Sequence, residues 1–179
     1  MNVVDTIPVA EGIELRAIAA ADFGRYWELI ERNRAYLARW LAWAPAASFE
    51  STCAFLGDQA ERHAQGQVAT YGIWIDGRLV GSIGLRNLEQ PAELNVGYYL
   101  AEIAQGRGIM SAALRALCAV AFETFGAQRI ELVAALGNLA SRRVAERCGF
   151  RFEGIARGRV VARDRLHDAA VYARLATDA

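Results

Sequence analysis

The stretch Leu100–Leu117, LAEIAQGRGIMSAALRAL, decides how the chain is read. It passes from apolar residues through Gly106-Arg107-Gly108 into a helical pattern that continues to about Phe125, with Met110, Leu114, Leu117 and Ala121 on one apolar face. A strand that ends in glycines and opens a helix offers free main-chain N–H groups at the positive end of the helix dipole. That geometry binds phosphate. Gly106 and Gly108 lack Cβ, so a pyrophosphate can reach the amides, and Arg107 can add a charge-assisted contact. A plain structural turn is the competing explanation. A dinucleotide fingerprint is a third, because Gly106, Gly108 and Ser111 resemble GxGxxG with its last glycine replaced. Its context is poor: about three antiparallel-looking strands precede the turn, and Glu131 lies near the start of its strand, whereas a ribose-binding acid belongs at the end.

Working outward, Gly12–Ile18 reads as a first strand and Ala20–Trp43 as one or two helices, stopped by Pro45. Ser48 can cap a further helix, with Ser51 in the place of the usual capping-box glutamate. VATYGIWIDGRLVGSIGLRNL contains two alternating runs around Asp76-Gly77, the signal for a type I′ hairpin. AELNVGYYLAE follows as a third antiparallel strand, and RIELVAAL as another strand beyond the central helix. NLASRRVAERCGF is a short helix with Asn138 as N-cap and Gly149 at the C′ position, and two strands close the chain. The order implies one domain over residues 1–179, of the α/β (α+β) class, with a mixed, mostly antiparallel central sheet flanked by helices.

Composition narrows the function. The 179 residues are 54% hydrophobic with zero formal net charge, which suits one core and argues against a nucleic-acid footprint. All 20 basic residues are arginine, so neither a Schiff-base lysine nor a P-loop lysine is available. Cys53, Cys118 and Cys148 are widely spaced with no CxxC, so no metal site is expected and a reduced, cytoplasmic setting fits. MNVVDTIPVAEG lacks the pattern of a signal peptide, and the longest apolar run, Ile109–Phe125, is interrupted by Arg115, so no membrane span is expected.

QGRGIM followed by NLASRRVAERCGF resembles the GNAT acetyltransferase superfamily. Gln105, Gly108, Asn138, Ser141, Gly149 and Phe150 match its two central motifs, while Met110 replaces the small residue usual at the end of the first. NRAYLARWLAW, GYYL and RLHDAAVYARL add a similarity to the ribosomal-protein serine/alanine N-terminal acetyltransferases, the RimJ/RimL-like branch, over nearly the whole chain. The resemblance implies acetyl-CoA as co-substrate, held at Leu100, Gln105, Gly106, Arg107, Gly108, Ile109, Met110, Ser111 and Asn138. It implies direct transfer to a protein N-terminal amine, with a small-molecule amine or a non-catalytic acyl-CoA sensor as alternatives, and a homodimer. The strand NVGYYLAE is expected to splay from RIELVAAL and expose N–H groups to the pantetheine and the acetyl carbonyl.

On the same resemblance Ser141 is the candidate acid for the departing thiolate, because Ala145 stands where many members carry tyrosine. The branch's glutamate base falls at Val160, which leaves Glu93, on the same strand face as Asn95, as a substitute candidate. Leu37, Trp40 and Trp43 can line an acceptor groove or simply pack helix against sheet, and Arg142 and Arg143 can reach the CoA 3′-phosphate or form a solvated helix face. Tyr172, Asp168 and Cys148 are assigned to structure, and His167 to the face of the last strand opposite Asp168.

Overall fold

The computed structural model describes residues 3–178. The chain runs β1 (Thr6–Ala10), β2 (Ile13–Ala17), α1 (Phe23–Leu37), α2 (Phe49–Ala64), β3 (Ala69–Ile75), β4 (Arg78–Arg86), β5 (Glu93–Leu100), α3 (Ile109–Glu123), β6 (Arg129–Ala135), α4 (Leu139–Arg147), β7 (Arg151–Ala162) and β8 (Arg165–Leu175). The eight strands form one sheet in the order β1-β2-β3-β4-β5-β6-β8-β7. Every neighbouring pair is antiparallel except β5 with β6. The sequence reading gave seven strands and missed β1. Pro8 lies inside that five-residue run, and proline is tolerated because β1 occupies the sheet edge.

Local chemistry explains the main turns. Asp76 and Gly77 both take positive φ, at 47° and 75°, between Ile75 and Arg78, which pair directly. This is the backbone that a two-residue type I′ hairpin requires. At α2, Ser51 takes the role of the absent glutamate: its N–H donates to Ser48 Oγ at 3.1 Å, and its Oγ accepts from the Ser48 N–H at 2.9 Å.

Alternation along the central strands assigns the two faces. Leu94, Val96 and Leu100 of β5 are buried in the core with Ile83 and Leu85 of β4, against Ala113, Leu114, Leu117 and Cys118 of α3. The opposite face of β3 and β4 is covered by α1 and α2. The β5–β6 pairing runs only from Glu93 opposite Arg129 to Val96 opposite Leu132. Beyond it β5 stays on β4 as far as Leu100, while β6 stays on β8 as far as Ala135. The sheet therefore opens at this end, between the two strands that lead into α3 and α4.

Candidate active site

The opening in the sheet is bordered by the glycine turn. Gly106 and Gly108 have φ of 73° and 75°, left-handed values that favour glycine. A Cβ built on either would meet no atom within 4 Å, so the protein's own packing does not demand glycine there. Among the described residues, the amides of residues 106–111 make no hydrogen bond, and the first helical bond runs from Ala112 N–H to Gly108 O at 3.0 Å. The turn is braced by α1. Asn33 Oδ1 accepts from the Glu102 N–H at 2.9 Å, and the Gln105 side-chain amide donates to the Tyr36 hydroxyl.

A cavity of about 370 Å³ lies over these amides. Gln105, Gly106, Gly108, Ile109, Met110 and Ser111 line one side, Tyr98, Tyr99 and Leu100 another, and Asn138 and Ser141 a third. Asn138 Oδ1 accepts from the Ser141 N–H at 3.2 Å, so Asn138 both caps α4 and faces the cavity. Ser141 Oγ is 2.9 Å from the Tyr98 hydroxyl. Burial lifts the Tyr98 phenol above the ordinary tyrosine range, so it stays protonated. When the phenol donates, the seryl O–H is left to point into the cavity.

A second cavity, of about 550 Å³, lies on the α1/α2 side of the sheet. Its walls include Ile30, Trp43, Phe55 and Leu56, with Gly84 and Gly97 on its floor. It shares Leu41, Tyr98 and Tyr99 with the first, so the two cavities meet at the free end of β5. Trp43 packs edge-on against Tyr99, with ring centroids 5.7 Å apart. The loop that carries Trp43 is held by Arg34, whose guanidinium donates to the carbonyls of Ala44, Pro45 and Ala47 at 2.8, 3.0 and 2.9 Å.

Residues 13–151 match the family model described as an acetyltransferase (GNAT) domain. The chain belongs to the GNAT acetyltransferase family. It is similar to the ribosomal-protein-serine acetyltransferase of Escherichia coli K12, with 31% identity covering 96% of this chain and 97% of that protein. YdaF of Bacillus subtilis strain 168 is 36% identical over 95% of this chain and 94% of its own. Among solved structures, RimL, a ribosomal L7/L12 alpha-N-protein acetyltransferase in complex with coenzyme A, superposes with a TM-score of 0.90 at 29% identity, covering 95% of this chain and 97% of RimL.

As a GNAT member the protein is an acetyl-CoA-dependent N-acetyltransferase. Its residues fit that donor: bare amides on a helix N-terminus suit the pyrophosphate, and the parted edge of β5 suits an amide-bearing arm.

The structure sorts the sequence-derived residues of this GNAT enzyme. Leu100, Gln105, Gly106, Gly108, Ile109, Met110, Ser111, Asn138 and Ser141 converge on one cavity. Arg107 is exposed and lies outside that lining, so the cations there are Arg143 and Arg147. Arg142 lies outside that lining and donates to the Tyr172 hydroxyl at 3.1 Å and the Leu136 carbonyl at 3.2 Å. Glu93 is not brought to the site. It sits at the opposite end of β5, paired with Arg129 at 3.1 Å in a cluster with Glu131 and Glu153. Seven residue-to-residue steps of strand separate it from Leu100, roughly 23 Å. Trp40 and Trp43, read together as groove residues, part company: Trp40 and Leu37 line the first cavity and Trp43 the second.

The structural assignments hold. Tyr172 is buried and its hydroxyl donates to Glu146 at 3.0 Å, while Asp168 accepts from the Gly158 N–H at 2.9 Å. Cys148 is buried against the Ser111 carbonyl, and burial raises its thiol above the usual range, which opposes a nucleophilic role. His167 Nε2 lies 3.0 Å from the Ala162 carbonyl. Sequence reasoning missed Tyr98 as the partner of Ser141. The signal available was its place on the inward face of β5, two residues after Val96.

Proposed function

We propose that the protein acetylates the α-amine of a protein N-terminus, of the ribosomal-protein type, by direct attack in a ternary complex. The observation that carries this is the meeting of two cavities at Tyr98 and Tyr99, one under the phosphate-binding turn and one open toward α1 and α2. The donor's place is the first cavity and the amine's is the second. The relatives support the acceptor class: one is named for acetylating a ribosomal-protein serine, and RimL for acetylating a ribosomal α-amine.

Acetyl-CoA supplies an activated acyl carbonyl and a thiol leaving group. The parted edge of β5 holds the acyl arm and aims main-chain donors at the carbonyl. Ser141 delivers a proton from Oγ to the departing sulfur and takes one back from solvent, and the Tyr98 phenol orients that hydroxyl. The nitrogen's surplus proton leaves to solvent. Among the described residues no carboxylate and no histidine lines either cavity, and an α-amine with a pKa of about 8 is already partly neutral at pH 7. Positioning of the amine is then the main lever on rate. The same reading carries the homodimer and the cytoplasmic setting.

The test is release of free thiol from acetyl-CoA with a panel of N-terminal peptides and small amines. Peptides with a free α-amine should be acetylated and their Nα-blocked versions should not. Turnover of small amines with none of peptides refutes the proposed acceptor, and coenzyme A binding without turnover on any acceptor refutes the enzyme reading.

A further inference from the structure

We infer that Arg86 selects the acceptor by charge: the second cavity takes an amine whose body is apolar and which carries an anionic group a short way along, and it turns away polycationic amines. This rests on the proposed transfer at the junction of the two cavities and adds to it the chemistry of the acceptor.

Arg86 is the one charged side chain among the described residues that line this cavity. The other polar groups there are neutral, including Ser51, Thr52, Gln59, Thr70 and Ser82. Arg86 is exposed and has no ion pair among the described residues. Its position follows from the strand register. Arg86 stands opposite Asn95, and the neighbouring cross-strand pair on that face is Gly84 opposite Gly97. Two glycines leave the floor without side chains, and Arg86 leans over the space. A Cβ placed on Gly97 would lie 4.0 Å from the Arg86 Nη2. The guanidinium is therefore drawn along β5 toward Tyr99, about two strand residues or roughly 7 Å away.

No acid lines the cavity among the described residues. Asp58 accepts from the Gln59 side chain and faces Arg62, and Glu93 is held by Arg129. An ammonium entering the cavity meets a cation and no counter-charge, so the neutral amine, which is the nucleophile, is the form favoured there. A carboxylate or phosphate reaching back from the acceptor meets a planar fork that can bind it through two hydrogen bonds. In a peptide, that anion is the side chain of an acidic second or third residue. In a small molecule, it is the acid group of the amine itself.

Initial rates of thiol release test this with peptides that differ only in Asp, Ala or Lys at the second and third positions. Phenylalanine, phenethylamine and spermidine form a parallel small-molecule set. Wild-type protein should favour the Asp peptides over the Lys peptides by about tenfold in kcat/KM, the equivalent of one charged hydrogen bond. Arg86→Gln should level the series and Arg86→Glu should invert it, with the coenzyme A affinity of all three proteins unchanged. A preference for phenylalanine over phenethylamine, with peptides all slow, keeps the charge rule and assigns the anion to a small molecule. The same order of acceptors in wild type and Arg86→Glu overturns the inference. If no acceptor turns over, calorimetric binding of the same peptides in the presence of coenzyme A reads the charge order directly, so failure of the transfer reading and failure of this one are separable.

Discussion

Replacing Gly108 by alanine separates the two reasons for a glycine at the mouth of α3. An L-residue at φ 75° is strained by about 1–2 kcal/mol. In a fold of this size each kcal/mol lowers Tm by roughly 2–4 °C, so a loss of about 2–8 °C is expected. The added Cβ meets no protein atom within 4 Å, so no packing cost is added. Gly126, beyond the other end of the same helix, has φ 70° and equally open surroundings but does not line the cavity. Gly126→Ala therefore carries the same strain and serves as the control. At Gly108 the methyl group projects over the amides that fit a pyrophosphate. Disrupting one or two charge-assisted hydrogen bonds, at about 1.5–3 kcal/mol each, weakens coenzyme A binding by tenfold or far more. Calorimetric titration with coenzyme A, and thermal melts with and without it, read both quantities. Both variants should melt lower, and only Gly126→Ala should keep the wild-type affinity. Equal affinity in the two variants would refute phosphate binding at this turn. A valine at Gly108 carries the same backbone strain with a β-branched side chain added.

Tyr98→Phe should lower kcat by about tenfold with little change in acceptor KM, since a lone Ser141 hydroxyl loses its orienting partner; Ser141→Ala should lower it by up to about a hundredfold. Stopped-flow thiol release checks both, and unchanged kcat in Ser141→Ala would remove the acid from the mechanism. Arg34→Ala frees three carbonyls of the loop that carries Trp43, so the acceptor KM should rise several-fold while coenzyme A affinity holds, as steady-state kinetics would show. His63 is buried, and both its ring nitrogens lack a hydrogen-bond partner among the described residues. Burial lowers its pKa from the usual 6.5, so the unfolded chain binds more protons. The stability contribution is therefore full above about pH 6.5 and lost as pH falls below it. Denaturant titrations of His63→Leu should show a flatter loss of stability between pH 7 and pH 5 than the wild type shows.

Local patterns carried much of the fold and the donor side of the site. Asp76-Gly77, Asn138 with Gly149, and the apolar face from Met110 to Ala121 are each written within a few residues, where turn chemistry and helical spacing operate. The strand β1 was hidden because Pro8 contradicts strand propensity unless the run is known to be an edge. What failed in the site depends on pairing across long separations. Tyr98 meets Ser141 across 43 residues, and Arg129 claims Glu93 across 36. Arg107 and Arg142 are of the right type and near the right place, but which way an arginine points depends on neighbours that a single sequence does not name. Arg86 acquires its role from two glycines on different strands, a relation visible only once β4 and β5 are in register.

The parting of β5 from β6 after Val96 leaves a sheet whose lateral hydrogen bonding is incomplete at one margin. An extended, amide-bearing guest laid along that margin would serve as a ninth, borrowed strand. Amide protons of Tyr98 and Leu100, which alternation turns away from β4, should then exchange slowly in its presence and quickly in its absence, while those of β3, enclosed by β2 and β4, should be indifferent to it.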